Sequence, residues 1–292
     1  SLYSQNVMRE MVDDTGLDFD DQRAGILYLN RDAAALDRSI AEMKLLVENG
    51  VKMEILDAAG CARVEPALAH LGSELAGAVY CPDDDHGDCN MFTRALAGLA
   101  AEAGVAFRFN TAIGRIEAKK GAVTRVVTDQ GDVTADAYVM ALGPYSPVAA
   151  RRIGVNLPIY PVKGYSMTIP ILPDHQGPAG SGVDKDQLMA WSRLGDRLRL
   201  TSTAEITGYD LSRPPAQYVA MRRAAEALFP NGADYDNAET WCGLRPMTPE
   251  GTPIFGRGRH DNLWFNTGHG SMGWTMACGS ARVTADLIAG RK

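Results

Sequence analysis

The sequence lacks cysteine pairs, long hydrophobic runs and an excess of basic residues. Its five cysteines are Cys61, Cys81, Cys89, Cys242 and Cys278, and none has CxxC spacing, so neither a zinc site nor a disulfide framework is indicated. The apolar runs are far shorter than the ~20 residues of a membrane-spanning helix. A net charge of −7, with both signs mixed along the chain, argues against nucleic-acid binding. The N-terminus has no secretory pattern, and we expect a cytoplasmic protein.

What is present is an ordinary globular composition, with 46% hydrophobic and 22% charged residues among 292. This length allows one large domain or two interleaved ones. Apolar periodicity predicts a strand over 24–30 and helices over 32–50 and 90–104. The next part is β-rich, with strands predicted over 105–110, 112–118, 122–131 and 132–143. The nearly continuous apolar run 137–142 is typical of a strand buried on both faces of a parallel sheet.

The second half of the chain predicts a different kind of sheet. Residues 157–171 and 187–206 alternate between apolar and polar positions, as the strands of a separate antiparallel sheet do. A helix is predicted over 215–228. The tail then predicts a strand, a glycine-rich turn and a final helix, over 262–267, 268–273 and 274–289. We therefore expect an α/β (α+β) fold in which two sheets share the chain in alternating segments.

The glycine-rich turn has the pattern G-x-G-x-x-G at Gly268, Gly270 and Gly273. Bare backbone N–H groups and the positive end of a helix dipole would allow a negative or electron-rich ligand to approach. A dinucleotide-binding unit also has a second strand after the helix, with an acidic residue at its end. Only two residues follow Gly290, so we do not interpret the pattern as a standard dinucleotide-binding fingerprint. Two interpretations remain, a tight turn that uses glycine for positive φ or a cradle for another part of a cofactor, such as a flavin ring.

Two segments near the C-terminus carry a resemblance to a known family. Residues 240–256 read TWCGLRPMTPEGTPIFG, and residues 262–279 read NLWFNTGHGSMGWTMACG. Both resemble the C-terminal signature of the bacterial D-amino acid dehydrogenases, flavoproteins of the D-amino acid oxidase superfamily. PIYPVKGYSMTI at 158–169 resembles this family's entry into its substrate sheet. Further segments fit the family pattern in the same order, at 82–89, 107–113 and 135–146.

The resemblance implies an incomplete FAD-binding Rossmann-like domain interleaved with an antiparallel-sheet substrate domain. The expected boundaries assign 1–89 and 157–240 to the substrate domain, and 90–156 and 241–292 to the FAD-binding domain. The family's N-terminal strand–turn–helix, which carries its own G-x-G-x-x-G, has no counterpart here. We therefore expect a fragment of a longer FAD-binding chain.

Three side chains are candidates for catalytic roles by this resemblance. Arg245, in GLRP, would hold the substrate carboxylate, because a guanidinium binds a carboxylate bidentately and keeps its charge in a pocket; the alternative is a surface ion pair. His269 would donate a hydrogen bond to reduced flavin, or have a structural role. Tyr165 would place its phenol over the substrate or the flavin ring, or belong to the core.

The expected cofactor contacts lie on three backbone segments. Ile113 would touch the adenine, and Ala141 and Gly143 would let the pyrophosphate come close. The flavin would be lined by Gly268, His269, Gly270, Ser271, Met272, Gly273, Trp274 and Thr275. No metal site is expected, because the acidic run 83–86 lacks the ligand spacing of a calcium loop and is better explained as a solvated turn.

The implied reaction is the FAD-dependent oxidative deamination of D-amino acids to 2-oxo acids and ammonia. Hydride would pass from the substrate Cα to flavin N5, and the electrons would pass on to a membrane or quinone-linked acceptor rather than to oxygen. The expected location is the cytoplasm or the inner face of the bacterial membrane. Alternatives are a related amine oxidase of the glycine, sarcosine or proline type, or a flavin-free fragment that acts only as a binding module. The preferred side chain and the oligomeric state stay open.

Overall fold

The computed structural model describes residues 1–291, and these form seven α-helices and fourteen β-strands. The helices are α1 Leu2–Thr15, α2 Ala33–Glu48, α3 Ala58–Val64, α4 Cys89–Glu102, α5 Ser146–Arg151, α6 Ala216–Leu228 and α7 Gly273–Ile288. The strands are β1 Ile26–Asn30, β2 Glu54–Leu56, β3 Gly77–Cys81, β4 Ile113–Lys119, β5 Ala122–Thr128, β6 Gly131–Val133, β7 Tyr138–Met140, β8 Tyr160–Pro170, β9 Ser181–Asp184, β10 Met189–Leu194, β11 Arg197–Glu205, β12 Glu239–Met247, β13 Ile254–Arg257 and β14 Leu263–Thr267.

The largest sheet has eight strands in the order β12-β8-β11-β10-β9-β1-β3-β2. All its pairs are antiparallel except β1 with β9, which are parallel. The predicted antiparallel sheet is therefore confirmed apart from this pair. Because side chains alternate along a strand, one face buries apolar residues such as Met167, Leu198 and Leu200 with Met221 of α6. The opposite face carries Arg245 and is called the Arg245 face below.

Two smaller sheets each have three strands. Strands β4, β5 and β6 form an antiparallel meander. In the sheet β13-β14-β7, β14 runs parallel to β7, with Leu263 paired to Tyr138. Met140, Leu263 and Phe265 form a separate core with Ala150 of α5. Parallel pairing places the carboxyl ends of β7 and β14 at one edge of this sheet.

Two sequence-based strand predictions are wrong in detail. The run 137–142 is not a strand buried on both faces: β7 is shorter, and Val139 is 49% exposed, because the separate core covers the face with Met140, Leu263 and Phe265 and not the face with Val139. Residues 105–110 form no strand, because no described strand pairs with their backbone. Instead Phe107 and Phe109 are exposed and stack on each other with ring centroids 5.3 Å apart.

Helix α1 and strand β12 were not predicted, and both shape the site. Helix α1 packs against α7, where the amide of Gly279 donates to Ser4 Oγ at 3.0 Å; a Cβ at position 279 would lie 2.8 Å from that of Ser4. Strand β12 pairs with β8 along its whole length, so the expected domain boundary at 240/241 falls inside the eight-stranded sheet. No helix within residues 1–291 is both long and apolar enough to serve as a membrane span.

Candidate functional site

Arg245 lies in a slot whose floor is the backbone of β8. In the β12–β8 register, Gly243 pairs with Gly164 and Arg245 with Val162, so Arg245 and Gly164 share the Arg245 face. A Cβ built on Gly164 would lie 2.3 Å from Nη1 of Arg245 and 2.4 Å from both Cζ and Nη2. The guanidinium therefore lies against the strand at a position that only glycine leaves open.

The wall of this slot is a β-bulge in β11. The register between β11 and β8 shifts between Ser202 and Glu205, and Thr203, inside the shift, has a φ of 70°. A left-handed backbone is unusual for a β-branched residue and costs about 1–2 kcal/mol. The carbonyl oxygen of Thr203 accepts a hydrogen bond of 3.1 Å from Arg245 Nη1. The bulge thus fixes one edge of the guanidinium and leaves the rest for a ligand.

Arg245 has no carboxylate partner among residues 1–291, although seventeen ion pairs form elsewhere in that part of the chain. The side chain is half-buried, and burial lowers its pKa from the ordinary value. An arginine nevertheless stays protonated in a protein. A surface ion pair, the alternative weighed from the sequence, is therefore not what the structure contains. A half-buried, unpaired guanidinium is instead suited to an incoming carboxylate.

The glycine turn, residues 268–273, packs against the end of the strand that carries Arg245. A Cβ on Gly270 would lie 2.9 Å from the sulfur of Met247, the last residue of β12. Met247 follows Arg245 by two residues, about 7 Å along a strand. Helix α7 begins within this turn, and no side chain caps its first N–H groups, which leaves amide donors and the positive helix end for an electron-rich ligand. The amide donors and the guanidinium thus lie at the same end of the eight-stranded sheet.

The neighbouring edge of the β7–β14 sheet has the features that a dinucleotide cofactor requires. Each parallel strand is followed by a left-handed glycine, Gly143 with φ 53° and Gly268 with φ 76°. A Cβ on Gly143 would meet nothing within 4 Å, and Ala141 is exposed. The buried Oδ1 of Asn266 has no hydrogen-bond partner within residues 1–291. Ligands bind outside the carboxyl ends of parallel strands, so open space, small residues and an orphaned polar atom at this edge fit FAD.

The imidazole of His269 is hydrogen-bonded to helix α7. Its Nε2 lies 2.9 Å from Ser280 Oγ, and that hydroxyl donates to the carbonyl of Ala277 at 3.2 Å. With its proton engaged there, Ser280 accepts from Nε2–H, which assigns this tautomer to the neutral ring. Burial also lowers the pKa of His269. This geometry favours the structural role, in which His269 ties the glycine turn to α7, and hydrogen bonding to flavin stays a prediction.

Tyr165 is not brought together with Arg245. It follows Gly164 in β8, and therefore points to the opposite face of the sheet. Its ring is 1% exposed and packs edge-to-face on Tyr218, with centroids 5.5 Å apart, and its hydroxyl donates to Glu205. This placement favours the core alternative over contact with substrate or flavin.

The remaining predicted cofactor residues occupy distinct surroundings. The ring of Trp274 packs against Phe19 and Phe92 at centroid distances of 5.9 and 5.3 Å, so only its backbone faces the turn. Met272 and Thr275 line a cavity beside α7, and both are exposed, as Ser271 is. Ile113 is 48% exposed at the start of β4, next to Gly114, whose carbonyl accepts from Arg152 just after α5.

Sequence reasoning also missed Lys163, which precedes Gly164 in β8 and therefore points, like Tyr165, to the face opposite Arg245. Its side chain is 1% exposed and pairs with Asp210 at 2.8 Å. Burial lowers the pKa of Lys163, but its interactions with Asp210 and Tyr165 together raise it above the ordinary value, and the pKa of Asp210 is held well below its usual range by Lys163 and Ser212. Tyr209 in the same loop stacks on Tyr145, with centroids 5.3 Å apart. The loop 206–215 therefore connects the eight-stranded sheet to the turn that follows Gly143.

Gly164 and Thr203 were also missed. The available signal was the glycine inside an otherwise regular strand pattern, VKGYSM, since a strand glycine often marks close approach of another group. Thr203 gave no such signal, because nothing in the local sequence predicts a bulge.

Comparison with known proteins gives three consistent findings. The family described as FAD dependent oxidoreductase matches residues 1–287. D-amino acid dehydrogenase 2 of Mesorhizobium japonicum is 45% identical over all of this chain and 70% of that protein, and D-amino acid dehydrogenase of Agrobacterium fabrum is 44% identical over 99% and 69%. The crystal structure of glycine oxidase from Bacillus cereus superimposes with a TM-score of 0.87 at 24% identity, over 99% of this chain and 79% of that one.

Proposed function

Because the chain belongs to the FAD-dependent oxidoreductase family, we propose that the protein catalyses the oxidative deamination of D-amino acids to 2-oxo acids and ammonia. The observation that carries this proposal is the unpaired guanidinium of Arg245 beside the amide donors of the glycine turn. One group is suited to the carboxylate of an amino acid, and the other to the electron-rich edge of a flavin. The names of the two D-amino acid dehydrogenases support the D configuration of the substrate.

Each part of the site has a defined task in this reaction. FAD, when bound, would supply the redox chemistry as a two-electron acceptor for the hydride of the substrate Cα–H bond. The substrate amine would lose its protons and become an imine, which water would hydrolyse to the 2-oxo acid and ammonia. Arg245 binds the substrate carboxylate and so fixes the orientation of the Cα–H bond; the floor at Gly164 and the carbonyl of Thr203 limit how far the guanidinium can turn. The first N–H groups of α7 stabilise negative charge on the cofactor.

We further propose that the electrons leave to a membrane or quinone-linked acceptor and not to oxygen. The word dehydrogenase in the names of both relatives supports this assignment. The same proposal includes a location in the cytoplasm or on the inner face of the bacterial membrane, which suits an acceptor of this kind.

The decisive experiment is anaerobic mixing of the FAD-loaded protein with D-alanine, L-alanine and sarcosine. We expect the absorbance band of oxidised flavin to bleach with D-alanine, and a 2-oxo acid to accumulate when an artificial acceptor is added. Bleaching by sarcosine alone would assign the protein to the related amine oxidases. Arg245→Ala is the matched control, and it should retain FAD while losing most of its response to D-alanine.

A further inference from the structure

A second arginine lies on the Arg245 face of the eight-stranded sheet. Arg199 in β11 is opposite Thr168 in β8, and Arg245 in β12 is opposite Val162 in the same strand. Because side chains alternate along a strand, the even spacing from Val162 to Thr168 places both arginines on one face. Arg199 is half-buried and forms no ion pair within residues 1–291. In this part of the chain the face therefore carries two guanidinium groups without carboxylate partners.

The guanidinium of Arg199 is held over β8 by two hydroxyl groups. Its Nη1 donates to Thr168 Oγ1 at 2.8 Å, and its Nη2 donates to Ser166 Oγ at 3.0 Å. Ser166 is 2% exposed, so this acceptor is fixed within the sheet. A guanidinium has five N–H donors, and these two hydrogen bonds leave three of them for a ligand. The hydroxyl groups thus position the guanidinium without neutralising its charge.

The indole of Trp241 forms a wall beside the two guanidinium groups. A Cβ built on Gly243 would overlap the six-membered ring of this indole, so the ring covers Gly243, the strand partner of Gly164. The guanidinium carbon of Arg199 is 5.7 Å from the ring centroid, within the range of a cation–π contact. Trp241 is 55% exposed, which leaves apolar ring surface for a ligand that lies between the two charges.

The spacing of the two guanidinium groups fits a dicarboxylate. The guanidinium of Arg245 lies at Gly164, and that of Arg199 lies at Ser166 and Thr168. Two to three residues along a strand correspond to about 7–10 Å. The terminal carbons of an extended five-carbon diacid are about 5 Å apart. A hydrogen bond of about 2.8 Å at each end lets such a ligand reach both groups.

The other charged side chains of this face leave both positive charges uncompensated. Arg197 pairs with Asp20 and Asp88. Glu239, opposite Thr168 in β12, is exposed and forms no ion pair with Arg199 within residues 1–291. Two like charges at this distance repel each other, and more strongly where they are partly shielded from water. A ligand with two negative charges removes this repulsion.

We propose that the site prefers D-amino acids with a carboxylate on the side chain, which Arg199 binds while Arg245 binds the α-carboxylate. This inference rests on the proposed deamination and names its substrate class. The methylene groups of the substrate lie along the indole of Trp241. A neutral side chain gains no charge-assisted hydrogen bond from Arg199, and a cationic one is repelled by both guanidinium groups.

The test compares D-glutamate with D-glutamine, which have nearly the same shape and differ in the charge of the side chain. In the FAD-loaded wild type, kcat/KM for D-glutamate should exceed that for D-glutamine about tenfold to a hundredfold, the value of a charge-assisted hydrogen bond. Arg199→Gln should bring this ratio close to one. Since both substrates are measured on the same protein, partial loss of FAD or of folded protein cancels from the ratio.

Arg223→Gln is the matched control. It removes the same charge from an exposed position of α6, the helix that packs on the opposite face of the sheet, and it should keep the wild-type ratio.

Equilibrium binding gives a second readout that needs no turnover. Glutarate and its monoamide, glutaramate, have no amine to oxidise, and a change in the flavin absorbance reports their binding. We expect the wild type to bind glutarate at least about tenfold more tightly than glutaramate, and Arg199→Gln to bind the two equally. The wild-type comparison does not depend on any variant folding.

Three outcomes would overturn the inference. They are equal kcat/KM for D-glutamate and D-glutamine in the wild type, equal affinity for glutarate and glutaramate in the wild type, or a wild-type ratio that persists in Arg199→Gln. Any of these together with oxidation of D-alanine would refute the side-chain assignment alone. If no D-amino acid bleaches the flavin, the proposed deamination fails, and the two diacid probes still test Arg199.

Discussion

Replacing Gly164 by alanine should impair substrate binding through Arg245 alone. The added Cβ would stand 2.3–2.4 Å from three atoms of the guanidinium, where ordinary contacts are 3.4–4 Å. The guanidinium must therefore move by about 1 Å, since the end of a flexible side chain shifts more easily than two paired strands. Gly164 does not have a left-handed φ, so the alanine causes no backbone strain.

The magnitude follows from the bonds that this movement breaks. A hydrogen bond between charged groups is worth about 1.5–3 kcal/mol, and the displaced guanidinium keeps at most one of the two that it makes to a carboxylate. We expect kcat/KM for D-alanine to fall about tenfold to a hundredfold, mainly through KM. FAD content and melting temperature should stay near the wild-type values.

Steady-state kinetics of a double-mutant cycle provide the assay. If Gly164→Ala acts only through the guanidinium, the double variant with Arg245→Ala should be no worse than Arg245→Ala alone. Gly98→Ala is the matched control, since a Cβ there, in helix α4, meets nothing within 4 Å, and it should leave KM unchanged. Unaltered KM in Gly164→Ala, or additive losses in the double variant, would refute the slot as the substrate carboxylate site.

Three further predictions concern the eight-stranded sheet and the glycine turn. Thr203→Gly relieves a left-handed β-branched residue, and chemical denaturation should show unfolding free energy raised by about 1 kcal/mol. Lys163 lowers the pKa of Asp210 in the folded state. This interaction therefore stabilises the wild type fully above the ordinary carboxyl pKa of the unfolded chain. The stabilisation is lost as the pH falls through the lower pKa of the folded state. Asp210→Asn should lower the melting temperature at neutral pH and flatten this acid dependence. Ser280→Ala removes the hydrogen-bond acceptor of His269. In a fluorescence titration it should weaken FAD binding about fivefold, the value of one hydrogen bond of about 1 kcal/mol. Unchanged affinity would contradict a role of His269 in positioning the glycine turn.

Local sequence patterns were sufficient for most of the secondary structure. Helices α2, α4, α6 and α7 lie within a residue or two of their expected ends, because each has a strong apolar periodicity and a clear start or stop signal. The strand-to-helix glycine turn is also local information, since positive φ at Gly268 and Gly270 is a property that glycine alone adopts easily. The GLRP and GHGSMG segments, and through them the family, were likewise readable from the sequence.

The predictions that were wrong all depended on neighbours far away in the chain. Residues 105–110 have a strand-like pattern, but a strand forms only where another backbone pairs with it. The apolar run that contains β7 is exposed at Val139 because the core packs on the opposite face of this sheet. Periodicity records which side chains are apolar, and it does not record what covers them.

The sequence by itself determined the chemistry of the candidate site: a guanidinium for a carboxylate, and glycine-spaced amides at a helix start for an electron-rich ring. Only the tertiary structure decided which residues belong to that site. It placed Tyr165 on the far face of the sheet, tied His269 to Ser280, and brought Gly164 and the Thr203 carbonyl to Arg245. Strand register and a β-bulge make those choices, and both are set by pairing between segments about 40 to 80 residues apart, whereas motif and periodicity describe only what is adjacent along the chain.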